Sequence, residues 1–381
     1  MTGPCAVPSD VLQHMLLVSE PVLGEDEKAA LCAVIDSNWI TMGSRVQAFE
    51  KAFAAEHGMS DGVAVNSCTA GLHLVLAALG IGPGDEVLVP SLSFVATANA
   101  VVYSGATPVF VDVTALDVPL MSLEDAAARC TERTKAIIVM HYAGYVADAE
   151  AWREFADRRR LHLLEDSAHA VGAARSRIFG DAAVFSFFGN KNMTTAEGGM
   201  ILGADEKLMA RVRQDRGHGM TTSTVQRLNG HGMYDVTTLG YNYRMTELNA
   251  ALGLVQLRKL AAWNARRKTL AARYRELLDG SAIDVPFSAP LRSSHHILPV
   301  LLPDSIDRNQ LVGSLRAKGI QTSIHYPPIH QLSWYRERIG GVPMPLTERF
   351  AARELTLPLH PKMEDAQVDY VVHELRRLVV P

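Results

Sequence analysis

The stretch Phe185-Ser-Phe-Phe-Gly-Asn-Lys-Asn-Met-Thr-Thr-Ala-Glu-Gly-Gly199 joins a short apolar strand, residues 185–187, to a loop that carries one lysine, Lys191. Glycines lie on both sides of the lysine, and glycine permits the tight turns that a loop beside a bulky ligand needs. Upstream, Glu165-Asp166 ends another apolar strand. The sequence therefore places an amine and a carboxylate after two different strands.

Short apolar strands alternate with helical segments through the first two thirds of the chain. After Asn66-Ser-Cys-Thr69, leucines recur at helical spacing until the run Gly80-Ile-Gly-Pro-Gly-Asp85 ends that helix. The strands predicted in this part are residues 87–89, 109–111, 136–139, 161–164 and 185–187. Such alternation predicts an α/β fold with a mostly parallel sheet covered by helices. Ligands of such sheets bind beyond the carboxyl ends of the strands, so Asp166 and Lys191 are expected to share one cleft.

A long helix is predicted to begin near Thr246, with an apolar stripe formed by Met245, Leu248, Leu252 and Val255. We interpret it as a helix that connects two domains. Beyond it the pattern indicates shorter elements: a helix over residues 311–318, an extended run over 353–359 and a helix over 365–378. The predicted organisation is a large domain with the N-terminal segment over residues 1–255, followed by the interdomain helix and a smaller α+β domain over 256–381.

Composition narrows the class of protein. The chain has 381 residues, 48% hydrophobic and 20% charged, which is enough for a large core and more than one domain. A net charge of −4 provides no basic field for nucleic acid. We find no signal peptide or apolar run of membrane-spanning length, so a cytoplasmic protein with no membrane partner is expected. The four cysteines are widely spaced, which favours reduced thiols and predicts neither a disulfide framework nor a metal site.

Lysine and aspartate at one cleft suggest a site for pyridoxal 5'-phosphate (PLP). A lysine amine forms a Schiff base with an aldehyde cofactor, and a carboxylate keeps a pyridine nitrogen protonated. Alone, Lys191 would more often be a solvated surface charge and Asp166 a cap or ion-pair partner. Together they predict transamination.

Other parts of a cofactor site can be found near these two residues. Ser67-Cys-Thr69 precedes a helix, where N–H donors and hydroxyls can bind a phosphate, and Ser186 could add a second hydroxyl. Phe94 could form an aromatic wall and His169 could contact the ring or its phenolic oxygen. The ordinary alternatives are a Ser/Thr N-cap, a core aromatic and a core histidine.

Several spaced motifs together resemble the DegT/DnrJ/StrS sugar aminotransferases. The resemblance runs from about residue 16 to the C-terminus, and its specificity comes from the order and number of the motifs. It implies an aspartate-aminotransferase-like fold (fold type I), bound PLP and a homodimer with shared active sites. The motifs are Gly80-Ile-Gly-Pro-Gly-Asp-Glu-Val87, Gly105-Ala-Thr-Pro-Val-Phe-Val-Asp112, Glu165-Asp-Ser-Ala-His-Ala-Val-Gly172, Ser186 through Gly199, Gly240-Tyr-Asn-Tyr-Arg-Met245 and His325-Tyr-Pro-Pro-Ile-His330.

The resemblance implies a role for each matching residue. Lys191 corresponds to the Schiff-base lysine and Asp166 to the partner of the pyridinium nitrogen, with His169 and Phe94 beside the ring. The presence of Lys191 argues against the dehydratase branch of the family, in which a histidine replaces this lysine. A regulatory member without turnover is a further alternative, and retention of the whole catalytic set argues against it.

Phosphate binding is likewise implied for Ser186 and the Cys68-Thr69 backbone, and Asn242 is similar to the asparagine that reaches the phosphate of the neighbouring subunit. Three departures from the family pattern stand out. Cys68 and Ala196 replace glycines, and the stretch over residues 173–181 is shorter than usual. The first two affect backbone geometry, and the third affects the local surface or cleft.

The implied reaction moves an amino group from glutamate or glutamine to a keto sugar, in amino-sugar biosynthesis for an antibiotic or polysaccharide. A nucleotide-linked 4-keto-6-deoxyhexose is the first expectation for the acceptor, with a 3-keto sugar or a cyclitol ketone as alternatives. No arginine stands in the run over residues 355–361 to clamp a second carboxylate, although Arg216, Arg244 or a partner arginine could serve glutamate. The residues predicted to line the entrance and contact the acceptor are Trp39, Thr41, His325, Tyr326 and His330.

Overall fold

A seven-stranded sheet forms the centre of this computed structural model, which describes residues 14–173, 178–222 and 233–379. The strands run in the order β1-β7-β6-β5-β4-β2-β3. From β6 to β3 all neighbours are parallel, whereas β7 pairs antiparallel with both β6 and β1. The strands are Gly62–Val65 (β1), Glu86–Pro90 (β2), Thr107–Val111 (β3), Thr134–Met140 (β4), His162–Asp166 (β5), Ala182–Ser186 (β6) and Gly199–Gly203 (β7).

Helices cover this sheet, and their starts follow from local capping. Ser67 accepts a hydrogen bond from the Ala70 N–H at 3.1 Å, and Asp148 accepts one from the Ala151 N–H at 3.1 Å. Most of the strand residues are buried, which is why these strands read as continuous apolar runs. The helices of this part are Glu25–Asp36 (α1), Ser44–Glu56 (α2), Cys68–Ala78 (α3), Ala96–Tyr103 (α4), Leu123–Arg129 (α5), Ala149–Arg159 (α6) and Glu206–Asp215 (α7).

A single long helix, Glu247–Leu278 (α8), leads out of this part of the chain. Thr246 caps it by accepting a hydrogen bond from the Asn249 N–H at 3.2 Å. Its second half packs in a separate apolar cluster with a two-stranded antiparallel sheet. The elements after α8 are Leu298–Leu301 (β8), Arg308–Ala317 (α9), Ser333–Arg338 (α10), Pro345–Arg353 (α11), Glu354–Leu357 (β9) and Asp365–Leu378 (α12).

The predicted α/β fold with a mostly parallel sheet is confirmed, with corrections at particular elements. β6 begins earlier than predicted, at Ala182, and ends at Ser186. Met245 precedes α8, which begins at Glu247. β1 and β7 were not predicted, because both are short and include glycine, which weakens a strand pattern. The domain boundary stays a prediction, since α8 continues without a break through residues 255 and 256.

Two of the predictions made from composition concern membrane-spanning segments and cysteines. Among residues 14–173, 178–222 and 233–379, no helix has both the length and the apolar composition needed to cross a membrane. Cys32, Cys68 and Cys130 are free thiols, and Cys5 lies outside these ranges. Residues 174–177 of the shortened stretch also lie outside them.

Candidate active site

The sheet topology brings the predicted site residues to one edge. β1 and β6 run in the same direction with β7 between them, and Gly199, the first residue of β7, pairs with the last residues of both, Val65 and Ser186. The carboxyl ends of β2, β4 and β5 lie at this edge too, because those strands are parallel to β6. Side chains that follow these strands therefore meet although they are far apart in sequence.

A cavity of about 640 Å³ opens at this edge. Residues from the strand ends of the large sheet form one side, and residues 323–327, before α10, form the other. The lining includes these predicted residues: Cys68, Thr69, Phe94, Asp166, His169, Ser186, Lys191, His325 and Tyr326. Roles assigned to these side chains stay predictions, and the structure supplies their positions.

The loop that carries Lys191 is held by α8. Asn249 Nδ2 donates to the carbonyl of Thr195 at 2.6 Å, and Gln256 Oε1 accepts from the Thr194 N–H at 3.2 Å. Asn192, directly after the lysine, donates to Asn264 Oδ1 at 2.7 Å. One helix thus holds the loop on the C-terminal side of the lysine, through three residues spaced about two turns apart.

Burial changes the acidity of Lys191. It lowers the pKa of the amine from 10.5 to about 8, although the nearby Cys68 and Asp166 act in the opposite direction. A neutral amine is the nucleophile in Schiff-base formation, so this shift increases the reactive fraction near neutral pH.

Asp166 is buried at the end of β5 with both carboxylate oxygens held. Thr97 donates its hydroxyl to Oδ2 at 2.7 Å, and the Ala168 N–H donates to Oδ1 at 3.2 Å. Burial raises the pKa of Asp166, while those two hydrogen bonds and Lys191 lower it in part. A buried carboxyl of this kind is stabilised as an anion by a cationic N–H partner, which is what a protonated pyridine ring offers.

His169 combines a satisfied and an unsatisfied ring nitrogen. Its Nε2 lies 2.8 Å from the Tyr326 hydroxyl, whereas Nδ1 is buried without a hydrogen-bond partner in the described ranges. Burial, together with Lys191 and His296, lowers the pKa of His169 well below its usual value. A neutral imidazole with one free nitrogen beside the cavity fits a ligand atom that the chain itself does not supply.

The start of α3 offers a cradle for a phosphate. The free N–H groups of its first turn lie beside Cys68 and Thr69, and Ser186 supplies a hydroxyl at the end of β6. Gly199 allows the close approach, since a Cβ there would lie 2.8 Å from the Cys68 nitrogen and 2.8 Å from the Phe185 carbonyl oxygen. The cradle thus depends on Gly199, which was not among the site residues predicted from the sequence.

The structure shows the surroundings of Cys68 and the backbone conformation of Ala196, the two residues that replace glycines of the family pattern. The Cys68 thiol points at the Val184 carbonyl oxygen at 3.6 Å, and burial raises its pKa well above the usual range. A protonated, buried thiol is a poor nucleophile, so Cys68 fits a packing role. Ala196 has a φ of +67°, a left-handed conformation that favours glycine.

The predicted aromatic wall is present. Phe94 is 57% exposed and lies on the cavity, with its ring centroid 5.9 Å from that of Tyr326. An exposed aromatic face beside a buried carboxylate is suited to stacking on a flat heteroaromatic ring.

Four predicted residues lie outside this cavity in the single chain. His330 is buried between the Ser91 hydroxyl, 2.6 Å from its Nδ1, and Glu348, 3.1 Å from its Nε2. Its position does not support the predicted acceptor contact. The other three are Trp39, Thr41 and Asn242.

Those three residues occupy different surroundings. Trp39 has a buried indole N–H without a hydrogen-bond partner in the described part of the chain. Thr41 is exposed. Asn242 is also exposed, and its carbonyl accepts a hydrogen bond from Asn66 Nδ2 at 3.4 Å. Exposure of Asn242 is compatible with a contact to a second subunit, which stays a prediction.

Sequence reasoning missed residues that support the site from a distance in sequence. Thr97 holds Asp166, and Ser93 in turn lies 2.7 Å from the Thr97 hydroxyl. Asn190, beside the lysine, lines the cavity with a buried side-chain oxygen that has no hydrogen-bond partner in the described ranges. Only the folded arrangement identifies these side chains, because Thr97 and Asp166 are 69 positions apart.

The residues present fit PLP. The cavity joins a lysine of lowered pKa, a fixed buried carboxyl, an unpartnered imidazole nitrogen and a helix start that a Cβ at Gly199 would obstruct. No group of three or more metal-binding side chains occurs within the described residues. This fold and this donor set define the class: a PLP-dependent enzyme of the aspartate-aminotransferase-like type.

Comparison with known proteins identifies the family. The model of the DegT/DnrJ/EryC1/StrS aminotransferase family matches residues 21–376. The chain belongs to this family, and it is a PLP-dependent sugar aminotransferase.

Solved structures resemble the chain over nearly its whole length. Helicobacter pylori PseC, an aminotransferase involved in the biosynthesis of pseudoaminic acid, is 30% identical, with a TM-score of 0.90 over 96% of this chain and 99% of that one. The putative sugar aminotransferase Spr1654 of Streptococcus pneumoniae, in its PMP form, is 31% identical, with a TM-score of 0.88 over 95% of this chain and 98% of that one. DesI, solved in the presence of its TDP-sugar product, is 32% identical, with a TM-score of 0.85 over 96% and 93% of the two chains. These likenesses confirm the predicted fold type I.

Proposed function

We propose that this enzyme transfers an amino group from glutamate or glutamine to a nucleotide-linked keto sugar, most simply a 4-keto-6-deoxyhexose. The observation that carries the acceptor class is the lining of the cavity. Within the described residues, Lys191 is the only lysine or arginine on the cavity wall. The other polar groups there include serine, histidine, tyrosine and asparagine, which suit sugar hydroxyls better than a second carboxylate.

Arg216, one of the arginines predicted to bind glutamate, does not face the cavity. Arg216 is buried, with Nη1 2.5 Å from Glu50 Oε1 and 2.7 Å from the Ala64 carbonyl oxygen. Arg244 does not line the cavity of its own chain either, so we assign glutamate binding to an arginine of a second subunit, in keeping with the proposed homodimer. The TDP-sugar product of DesI supports a nucleotide-linked acceptor.

The roles proposed for the side chains follow from their positions. Bound PLP supplies an electron sink for the carbon that carries the amino group. Lys191 Nζ would hold the cofactor covalently, and as a free amine it would accept and return the proton of the substrate carbon. Asp166 holds the ring nitrogen protonated, and the start of α3 with Ser186 binds the phosphate.

The experiment is to load the enzyme as its pyridoxamine phosphate form and to offer one ketone at a time. We expect the visible absorbance of lysine-bound PLP to return with 4-keto-6-deoxy nucleotide sugars. Preference for oxaloacetate or pyruvate over every keto sugar would refute the proposal. Preference for a keto cyclitol or a 3-keto sugar would instead move the enzyme to one of those branches. Lys191→Ala is the matched control, since it can bind pyridoxamine phosphate but cannot restore the absorbance.

A further inference from the structure

Two hydrogen bonds connect the small sheet to His325 on the wall of the active-site cavity, and a third joins their partners within β9. Glu354 and Thr356, both in β9, are fully buried. Thr356 donates its hydroxyl to Glu354 Oε1 at 2.5 Å and lies 2.8 Å from His325 Nδ1. Glu354 Oε2 accepts from the backbone N–H of His325 at 2.9 Å. We call these three residues the relay.

The relay determines which nitrogen of His325 carries the proton. An ionised Glu354 carboxylate can only accept hydrogen bonds, so the Thr356 hydroxyl then gives its one hydrogen to Glu354. Thr356 Oγ1 must then accept from His325, so the ring proton resides on Nδ1. Burial and the nearby Lys191 lower the pKa of His325 to about 4, so the ring is neutral at neutral pH.

The second ring nitrogen of His325 is available to a ligand. His325 lines the cavity, and its Nε2 has no hydrogen-bond partner in the described ranges. His325 Nε2 is not completely buried, so it is accessible from outside the protein. It presents a lone pair, which accepts a hydrogen bond from a hydroxyl but finds no proton on a carboxylate or a ketone.

We propose that, when Glu354 is ionised, His325 Nε2 accepts a hydrogen bond from a hydroxyl group of the amino acceptor, and that Thr356 and Glu354 are positioning residues that keep the ring proton on Nδ1. The inference rests on the proposed keto-sugar function, because a sugar acceptor carries hydroxyls near its ketone and glutamate carries none. His325 thereby distinguishes the second substrate of the reaction from the first.

The ionisation state of Glu354 determines which atoms of the relay donate hydrogen bonds and which accept them. Burial raises the pKa of this carboxyl to about 8, and Thr356, the His325 N–H and Arg308 lower it in part. The raised pKa means that the carboxylate form dominates only above about pH 8. Below that pH the protonated carboxyl donates a hydrogen bond to Thr356, the Thr356 hydroxyl donates to Nδ1, and the ring proton resides on Nε2.

Other groups that face the relay carry no competing change near pH 8. Tyr142 and Tyr326 lie near Glu354, and burial raises the pKa of both phenols. His169 and His296 lie near the ring of His325, and burial lowers the pKa of both. Lys191 has a pKa of about 8, but PLP occupies its amine in the loaded enzyme.

The test compares three substitutions in the relay with one control outside it. Thr356→Val removes the hydroxyl at nearly constant volume, and Thr356→Ser restores it. Glu354→Gln keeps the acceptor for the His325 N–H, but its amide donates to Thr356 and so reverses the relay. Thr322→Val is the control, because the Thr322 hydroxyl is buried without a hydrogen-bond partner in the described ranges and belongs to the same segment.

The first measurement is the tautomer of His325, from the ring ¹⁵N shifts of selectively labelled, PLP-loaded enzyme at pH 9. We expect the Nδ1–H form in wild type, Thr356→Ser and Thr322→Val, and the Nε2–H form in Glu354→Gln. Wild type should change to the Nε2–H form as the pH falls through about 8. An Nε2–H tautomer in wild type at pH 9, or no change in Glu354→Gln, would overturn the relay.

The second measurement is the KM of the keto-sugar half-reaction at pH 9, where the Glu354 carboxylate form dominates. We expect Thr356→Val to raise it about threefold to tenfold, the range for loss of one neutral hydrogen bond, with recovery in Thr356→Ser. The glutamate half-reaction should be unchanged. An unchanged keto-sugar KM in Thr356→Val, or an equal effect on both half-reactions, contradicts the role of His325. Failure of the proposed function is distinguishable, since wild type itself would then reject every keto sugar while the tautomer still tests the relay.

Discussion

Gly199→Ala tests the proposed phosphate cradle without touching a catalytic side chain. The added Cβ would lie 2.8 Å from the Cys68 nitrogen, 2.8 Å from the Phe185 carbonyl oxygen and 2.9 Å from the Ser67 carbonyl carbon. All three atoms are backbone, so no side chain can rotate away. Reaching an ordinary contact of about 3.4 Å requires β7 and the start of α3 to separate by roughly 0.6 Å, and overpacking of this kind costs about 1–3 kcal/mol.

The expected consequence is weaker binding of the phosphate. A hydrogen bond to a charged group contributes about 1.5–3 kcal/mol, so loss of one N–H contact raises the Kd about tenfold to a hundredfold. Pyridoxamine phosphate is the probe, because it cannot bond covalently to Lys191. Isothermal calorimetry at fixed pH and salt gives the Kd directly.

Gly189→Ala is the matched control, in the loop that precedes β7. A Cβ at Gly189 has no heavy atom within 4 Å, so this variant adds the same methyl group without a clash. It should bind pyridoxamine phosphate like wild type. If Gly199→Ala binds as tightly as Gly189→Ala while both remain folded by circular dichroism, the start of α3 is not the phosphate site.

Asp166→Asn should retain the fold and lower the glutamate half-reaction rate by about a hundredfold, because the ring nitrogen loses its ionic partner; an unchanged single-turnover rate would make Asp166 a strand-end cap. Capture of PLP should accelerate with pH and level off above about 8, since only the neutral amine of Lys191 reacts; a stopped-flow midpoint near 10.5 would contradict the lowered pKa. Mixed Asn242→Asp and Lys191→Ala subunits should recover activity, since one site of each heterodimer carries both defects and the other carries neither. Heterodimers without activity would place Asn242 in the site of its own subunit.

Local sequence patterns were sufficient to predict that Lys191 and Asp166 lie at one site. Lys191 and Asp166 each follow an apolar strand, and parallel strands direct their carboxyl ends to one edge, so a shared cleft could be predicted from strand pattern alone. The start of α3 could also be predicted, because Ser67 is a strong N-cap before a leucine-rich helix. Spaced motifs then led to the family, which comparison confirmed.

Contacts between distant segments could not be read in this way. Thr97 holds Asp166 from α4, and Asn264 reaches the lysine loop from the middle of α8. A hydrogen bond between residues far apart in the chain leaves no periodic signal, since it depends on how helices pack on the sheet. For the same reason His330 was assigned to the cavity with its neighbours in one motif, whereas the fold turns it toward Ser91 and Glu348.

The sequence by itself thus determined the α/β architecture, the cofactor chemistry and the family, because strand periodicity, helix caps and motif residues are local properties of the chain. Tertiary structure alone decided the acidity of Lys191, the close approach at Gly199 and the contact between His325 and Thr356. Each of these depends on burial and on partners from other elements. Desolvation and hydrogen bonding act through space, and the order of residues does not encode distances across a folded core.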